Sequence, residues 1–183
     1  MLQASGCVVF DLDGTLADTS GDLLAAANAC FRAMGEGDLL GPGDALVALN
    51  GGRAMLRLGL SRLGREDEDE VNRWYPPLLE AYAGAICHHT VLYPGVTGAI
   101  EVLRRQGRSL AICTNKPEGL AEALMRELGV RDLFAGLVGA DTLPVRKPDP
   151  APYRLAGERA GGAARSMLVG DTETDRKTGL AAG

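Results

Sequence analysis

The spacing of apolar and polar positions changes period several times along the chain. Cys7-Val8-Val9-Phe10 is a short apolar run, rich in β-branched and aromatic residues and closed by Asp11-Leu12-Asp13-Gly14, which predicts a buried strand. Asp18-Thr19-Ser20 is turn and helix-cap chemistry, and Leu23, Leu24, Ala27 and Phe31 then follow helical spacing until Gly35 and Gly37. Gly41-Pro42-Gly43 punctuates again, and a second helical stretch, Asp44 to Leu63, is interrupted at Asn50-Gly51-Gly52-Arg53. The charge run Arg65 to Glu70 reads as the solvated, acidic start of a third helix. Pro76-Pro77 is expected to break or kink that helix, because proline removes a backbone donor and crowds the preceding turn. The stretch reaches His89 without strand-like alternation, so residues from about 18 to 92 read as a small helical domain inserted after the first strand.

Tyr93-Pro94-Gly95 reads as the return linker, and from there strand and helix patterns alternate. Val96 to Gln106 is helical, Ser109 to Cys113 is a strand, and Pro117 suits the first position of a helix whose apolar face is Leu120, Leu124 and Leu128. Leu137 to Ala140 is a weaker strand, Ala151 to Ala160 a helix, and Met167 to Gly170 a last strand that ends at Asp171. Strands separated by helices imply right-handed crossovers and a parallel sheet, hence an α/β fold.

The 183 residues allow one full core with a smaller appended domain, and 46% hydrophobic with 23% charged residues is ordinary for a globular protein. A net charge of −5 argues against a nucleic-acid partner, and no apolar stretch is long enough for a membrane span. Met1-Leu2-Gln3-Ala4 lacks the features of a signal peptide. Cys7, Cys30, Cys87 and Cys113 show no paired spacing; two fall in predicted strands and two in predicted helices, which points to reduced thiols and a cytoplasmic location.

Three predicted strands end in polar residues: Asp11 and Asp13, then Thr114 and Asn115, then Asp171 with Asp175 beyond it; Lys147 stands just before a helix. A parallel sheet puts these ends on one edge, where ligands bind in open α/β folds. Period two places Asp11 and Asp13 on one side of the chain, and two such carboxylates call for a shared proton, a metal ion or cationic neighbours. Carboxylates suit Mg²⁺, and Thr114-Asn115-Lys116-Pro117 at a helix start suits phosphate oxygens. Lys147 would add a point charge facing the same phosphate.

These residues resemble the four motifs of the haloacid dehalogenase superfamily of phosphatases, in order: Asp11-Leu12-Asp13-Gly14-Thr15, Thr114-Asn115, Lys147-Pro148, and Gly170-Asp171-Thr172-Glu173-Thr174-Asp175. Within it, Asp11 to Asp22, Gly51-Gly52-Arg53, Leu92 to Val96 and Leu143 to Pro148 most resemble phosphoglycolate phosphatases. The resemblance implies a Rossmann-like parallel sheet core with helices on both faces, formed by residues 1–17 and 93–183, and a small all-helical cap over 18–92 that closes on hinges near 17–20 and 92–95. It implies Asp11 as nucleophile, forming an aspartyl-phosphate, and Asp13 as acid and base. Thr114 and Lys147 would assist, with Gly14, Thr114, Asn115 and Lys147 binding phosphate. Mg²⁺ would be held by Asp11, the Asp13 carbonyl and Asp171, with Asp175 in support.

The implied substrate is a small phosphorylated metabolite, 2-phosphoglycolate for preference, acted on by a monomer or homodimer. A sugar-phosphate phosphatase, a pyrophosphatase, a phosphomutase or a non-catalytic binding protein on the same fold are the alternatives. The family usually carries one more strand after the fourth motif, so the strand at Met167 is expected to be an exposed edge. Arg53 is open between a substrate contact and an ordinary solvent-facing arginine, and Lys116 between phosphate and solvent. Asp18 reads as turn chemistry, Trp74 with Tyr75 and Tyr82 as cap packing, and Cys87-His88-His89 fits no zinc spacing.

Overall fold

A computed structural model describes residues 6–161 and 165–183. Met1 to Ala4, read above for a signal peptide, lie outside them. The chain divides into two compact units, Met1–Asp18 with Val91–Gly183, and Thr19–Thr90.

The first unit is built on a four-stranded sheet in the order β5-β4-β1-β6: β1 is Cys7–Phe10, β4 Ser109–Cys113, β5 Gly136–Val138 and β6 Ser166–Val169. Every pairing is parallel, as the alternation of elements requires. Cys7, Val9, Ala111, Cys113 and Val138 share one buried face with Tyr153, Ala156 and Ala160 of α7 (Ala151–Arg159 and the residue after it). Their alternates Val8, Phe10, Leu110 and Ile112 are buried too, on the opposite face by the period of a strand. There α5 (Val96–Arg105) packs on β4, α6 (Glu118–Glu127) on β5, and Phe10 meets Phe134 edge to face with ring centroids 6.2 Å apart. Both faces of each central strand are thus covered, which is why β1 and β4 read as continuous apolar runs. Among the described residues β6 pairs only with β1, and Met167 on it is 62% exposed, so it forms an open edge as expected. The last helix, α8, is Glu173–Ala182.

A two-stranded antiparallel ladder pairs β2 (Ala17–Asp18), where the sequence reading has turn chemistry at Asp18, with β3 (Val91–Leu92), at the end of the stretch read as helical. Asp18 is therefore a strand residue. Thr19 takes the N-cap position of α1 (Ser20–Ala33), but its side chain makes no capping bond. Pro117 is likewise one residue ahead of α6 rather than inside it.

The second unit is helical: α1, a four-residue turn of helix α2 (Ala45–Ala48), α3 (Gly52–Arg62) and α4 (Glu68–Gly84). Helix α4 does not stop at Pro76-Pro77. Val71, Leu78 and Tyr82 lie on one buried face, and their packing on α1 and α3 outweighs the two missing backbone donors. Asp67 caps α4 by accepting from the Asp69 N–H at 2.9 Å, and Glu68, Asp69 and Glu70 fill its first turn. Asp22 of α1 is 2% exposed, and its carboxylate accepts from the backbone N–H of His89 at 2.9 Å, the N–H of Thr90 at 2.9 Å and the Thr90 hydroxyl at 2.7 Å. One buried carboxylate thereby joins the two ends of this unit. All four cysteines are free thiols, and Cys87 lies in the turn after α4 rather than in a helix. Among the described residues no helix is long and apolar enough to cross a membrane.

Candidate active site

The register of the sheet assembles the site. Phe10 stands level with Ile112 on one side and Val169 on the other, so the residues that follow each strand emerge on the same edge. Two backbone bonds extend the ladder into the loops, Asp11 N–H to Val169 O at 2.8 Å and Thr114 N–H to Val138 O at 3.0 Å. Asp11, Thr114 and Asp171 are brought together in this way by strand ends far apart in sequence.

Lys147 stands between two of the carboxylates. Its ammonium is 2.9 Å from Asp11 Oδ1 and 2.6 Å from Asp175 Oδ1, with side-chain exposures of 2%, 9% and 4% in that order. The contact with Asp11 has the distance of an ion pair but not the angles of a hydrogen bond, so Asp11 Oδ1 is buried without a hydrogen-bond partner. Burial pushes the Asp11 carboxyl up to about 6; Lys147 pulls it down, and Asp175 and Asp13 add to the rise. Burial alone would lower the Lys147 ammonium, but the charges of Asp11 and Asp175 outweigh it and hold it above its ordinary value. One cation serves two anions, so the lysine stays charged, while its pull on Asp11 does not offset the burial of that carboxyl. Burial also takes the neighbouring Cys113 thiol up to about 12, so it is inert.

Asp171 completes the acidic group. Asp11, Asp171 and Asp175 each offer an oxygen within 4.8 Å of the others. Three carboxylates against one lysine leave a surplus of negative charge. This donor set fits a hard divalent cation. The cradle is kept tight by Gly14, whose φ is +84°. A Cβ there would lie 2.4 Å from Asp171 Oδ2. Thr15 donates its hydroxyl to Asp171 Oδ1 at 2.6 Å. Asp175 is fixed at the start of α8 by a reciprocal cap, accepting from the Thr172 N–H at 3.1 Å while its own N–H donates to Thr172 Oγ1 at 3.3 Å.

The Asp13 side chain lies outside the three-carboxylate group. Its Oδ1 is 2.9 Å from Lys116 Nζ, and the Lys116 side chain is only 4% exposed. The solvated reading of Lys116 is thus overturned. A buried ammonium needs a counter-charge, and Asp13 supplies it. Thr114 is buried, and its Oγ1 accepts from the Lys116 N–H at 3.1 Å. Asn115 donates from Nδ2 to the Lys147 carbonyl at 3.1 Å, so it tethers the loop that carries the lysine. The Lys147–Pro148 peptide is cis.

Arg53 belongs to the helical unit, where its guanidinium lies 4.3 Å from the centroid of the Tyr75 ring and donates to Asn72 Oδ1 at 2.7 Å. It is neither loose nor fully solvated. Sequence reasoning missed Thr15 as the partner of Asp171, although it quoted the residue within the first motif. It also missed Tyr93, whose phenol is pushed up by burial and by the charges of Asp18, Asp171 and Asp13.

The geometry has counterparts among known proteins. The family model of haloacid dehalogenase-like hydrolases matches residues 6–183. The chain is 40% identical over 181 residues to a phosphoglycolate phosphatase of Mesorhizobium japonicum, covering 96% of this chain and 78% of that one. It is 37% identical over 185 residues to a phosphoglycolate phosphatase of Rhodospirillum rubrum, covering 96% and 76%. Among solved structures, one described as a predicted phosphoglycolate phosphatase from Haemophilus somnus 129PT superposes with a TM-score of 0.79 at 26% identity, over 100% of this chain and 84% of that one. The chain therefore belongs to the haloacid dehalogenase-like hydrolases, and it is an enzyme of the phosphatase type.

Proposed function

We propose that the protein hydrolyses a small phosphate monoester, 2-phosphoglycolate for preference, with Mg²⁺ bound at the strand edge. The preference rests on relatives named for that substrate. The observation that carries the chemistry is Asp11: a buried carboxylate at the strand edge whose Oδ1 is held 2.9 Å from the Lys147 ammonium and whose charge that lysine only partly balances. Held in that way, it has its other oxygen left to attack phosphorus.

Asp11, the main-chain carbonyl of Asp13, Asp171 and Asp175 would hold the ion. Bound there, Mg²⁺ neutralises phosphoryl oxygens so that one anion can approach another. Every remaining role falls to the chain. Asp11 bonds to phosphorus as the ester oxygen leaves, giving an aspartyl-phosphate. Asp13 gives its proton to the departing alcohol, then takes one from the water that cleaves the intermediate. Thr114 accepts from the Lys116 N–H, which leaves its own hydroxyl proton to donate to a phosphate oxygen. Lys147 keeps Asp11 ionised and in place. Asn115 acts through Lys147 by fixing its loop.

The test is phosphate release from a panel of esters with and without Mg²⁺. 2-Phosphoglycolate, hexose phosphates, pyrophosphate and p-nitrophenyl phosphate separate the substrate alternatives. Asp11→Asn is expected to reduce release to background while the melting transition and circular dichroism stay native. Turnover retained in Asp11→Asn would refute the nucleophile assignment.

A further inference from the structure

Lys116 is the least explained charge in the site. It is buried to 4% exposure of its side chain, and its ammonium faces Asp13 Oδ1 at 2.9 Å. Its main chain is pinned on both sides. The N–H donates to Thr114 Oγ1 at 3.1 Å, and the carbonyl accepts from the Ala140 N–H at 2.9 Å. The side chain therefore leaves the end of β4 from a fixed point, and its long stem carries the charge to the Asp13 carboxylate.

An ammonium has three donors and no acceptor. The Asp13 carboxyl oxygen it faces accepts from it. We propose that Lys116 is a positioning residue for Asp13: it holds the carboxyl at Oδ1 and so sets the orientation from which Asp13 passes a proton to the leaving alcohol. This rests on the reading of Asp13 as the acid of a phosphatase. In the step concerned, an Asp11 oxygen bonds to phosphorus and the ester P–O bond breaks. The ester oxygen takes that bonding pair and receives the Asp13 proton. Asp13 is left as a carboxylate beside Lys116. The two buried lysines thus divide the labour, Lys147 serving Asp11 and Asp175, and Lys116 serving Asp13.

A residue that acts through the general acid should matter only where the leaving group needs a proton. The experiment compares kcat/KM, which reports the steps through alcohol release, for 2-phosphoglycolate and p-nitrophenyl phosphate. Without that proton the first would have to leave as a strongly basic alkoxide, whereas the second leaves as a stable phenolate. Lys116→Met is expected to lose about 10²-fold on the alkyl ester and less than about 5-fold on the aryl ester, and Lys116→Arg to recover much of the alkyl activity. Lys116→Gln carries the same readout should the Met variant fail to fold, as judged by its melting curve. Equal losses on both esters, or a raised KM with kcat intact on both, would make Lys116 a phosphate-binding group and overturn the proposal while leaving the phosphatase reading standing. A wild-type protein that releases phosphate from neither ester overturns both.

Discussion

Gly14 and Asp171 approach so closely that a Cβ on the glycine would lie 2.4 Å from Asp171 Oδ2. The same glycine has a φ of +84°, a backbone region that costs other residues about 1 kcal/mol or more. Both facts serve one end, since the turn after β1 must pass directly beneath a carboxylate delivered by β6. Gly14→Ala is therefore expected to push Asp171 out of the three-carboxylate group. Mg²⁺ affinity, read by isothermal titration calorimetry, should fall about 10- to 100-fold, with a loss of about 1–2 kcal/mol in urea unfolding without metal. Unchanged affinity would mean that Asp171 is not held by this contact.

Lys147 neutralises a buried cluster, and its removal should cost more stability than any surface charge in the chain. Lys147→Met leaves Asp11 and Asp175 facing each other without a cation, which is expected to destabilise the metal-free protein by about 3–5 kcal/mol. Adding Asp175→Asn removes one of the stranded charges and should restore part of that loss without restoring turnover. Mg²⁺ should raise the melting temperature of the single variant more than that of the wild type, because it meets a larger charge deficit. Additive effects of the two substitutions would show that the groups do not share the site.

The strand ends were legible because each strand is a short apolar run cut off by polar residues, and a parallel sheet lines such ends up without further information. That reasoning located Asp11, Thr114, Lys147, Asp171 and Asp175 before any coordinates. It could not say where the four-carbon stem of Lys116 carries its charge, since solvent, phosphate and Asp13 are all within such a reach. Arg53 was undecided for the same reason, and only the Tyr75 ring and Asn72 beside it settle its local pose. The ladder of β2 and β3 is two residues long on each side, too short for a period to show. Pro76-Pro77 misled because propensity is local, whereas the buried face of α4 is defined by α1 and α3.

One acidic residue away from the site gives a test of pH dependence. Glu122 accepts from Arg131 Nε at 2.8 Å, with both side chains 22% exposed. The Arg131 hydrogen bond holds its carboxyl below the ordinary glutamate value of 4.5 against an opposing effect of partial burial; the charges of Arg131, Arg126 and Arg159 lower it further. A folded value below the unfolded one gives stability that is present above 4.5 and lost as pH falls through the lower folded value. Glu122→Gln should therefore cost up to about 1 kcal/mol near pH 7, and the gap to the wild type should close as pH falls below the ordinary glutamate range. Thermal melts of both proteins across that range check it. A gap that persists unchanged into acid would assign the effect to packing rather than charge.

Asp22 should be the costliest acidic residue to lose in the helical unit. Its carboxylate receives the His89 N–H, the Thr90 N–H and the Thr90 hydroxyl, and Thr90 is itself buried. Asp22→Ala strands three donors that have been withdrawn from water, at about 1–3 kcal/mol for each one left unsatisfied. Water entering at His89, which is exposed, can relieve that donor, so a total of about 2–4 kcal/mol is expected. Asp22→Asn keeps one acceptor oxygen but turns its amide toward a donor, and should fall between alanine and wild type. Hydrogen exchange at the His89 and Thr90 amides reads the clasp directly: both should exchange faster in Asp22→Ala, with amides of β1 and β4 unaffected. Protection that stays unchanged at Thr90 would show that the ends of the helical unit are joined by packing and not by this carboxylate.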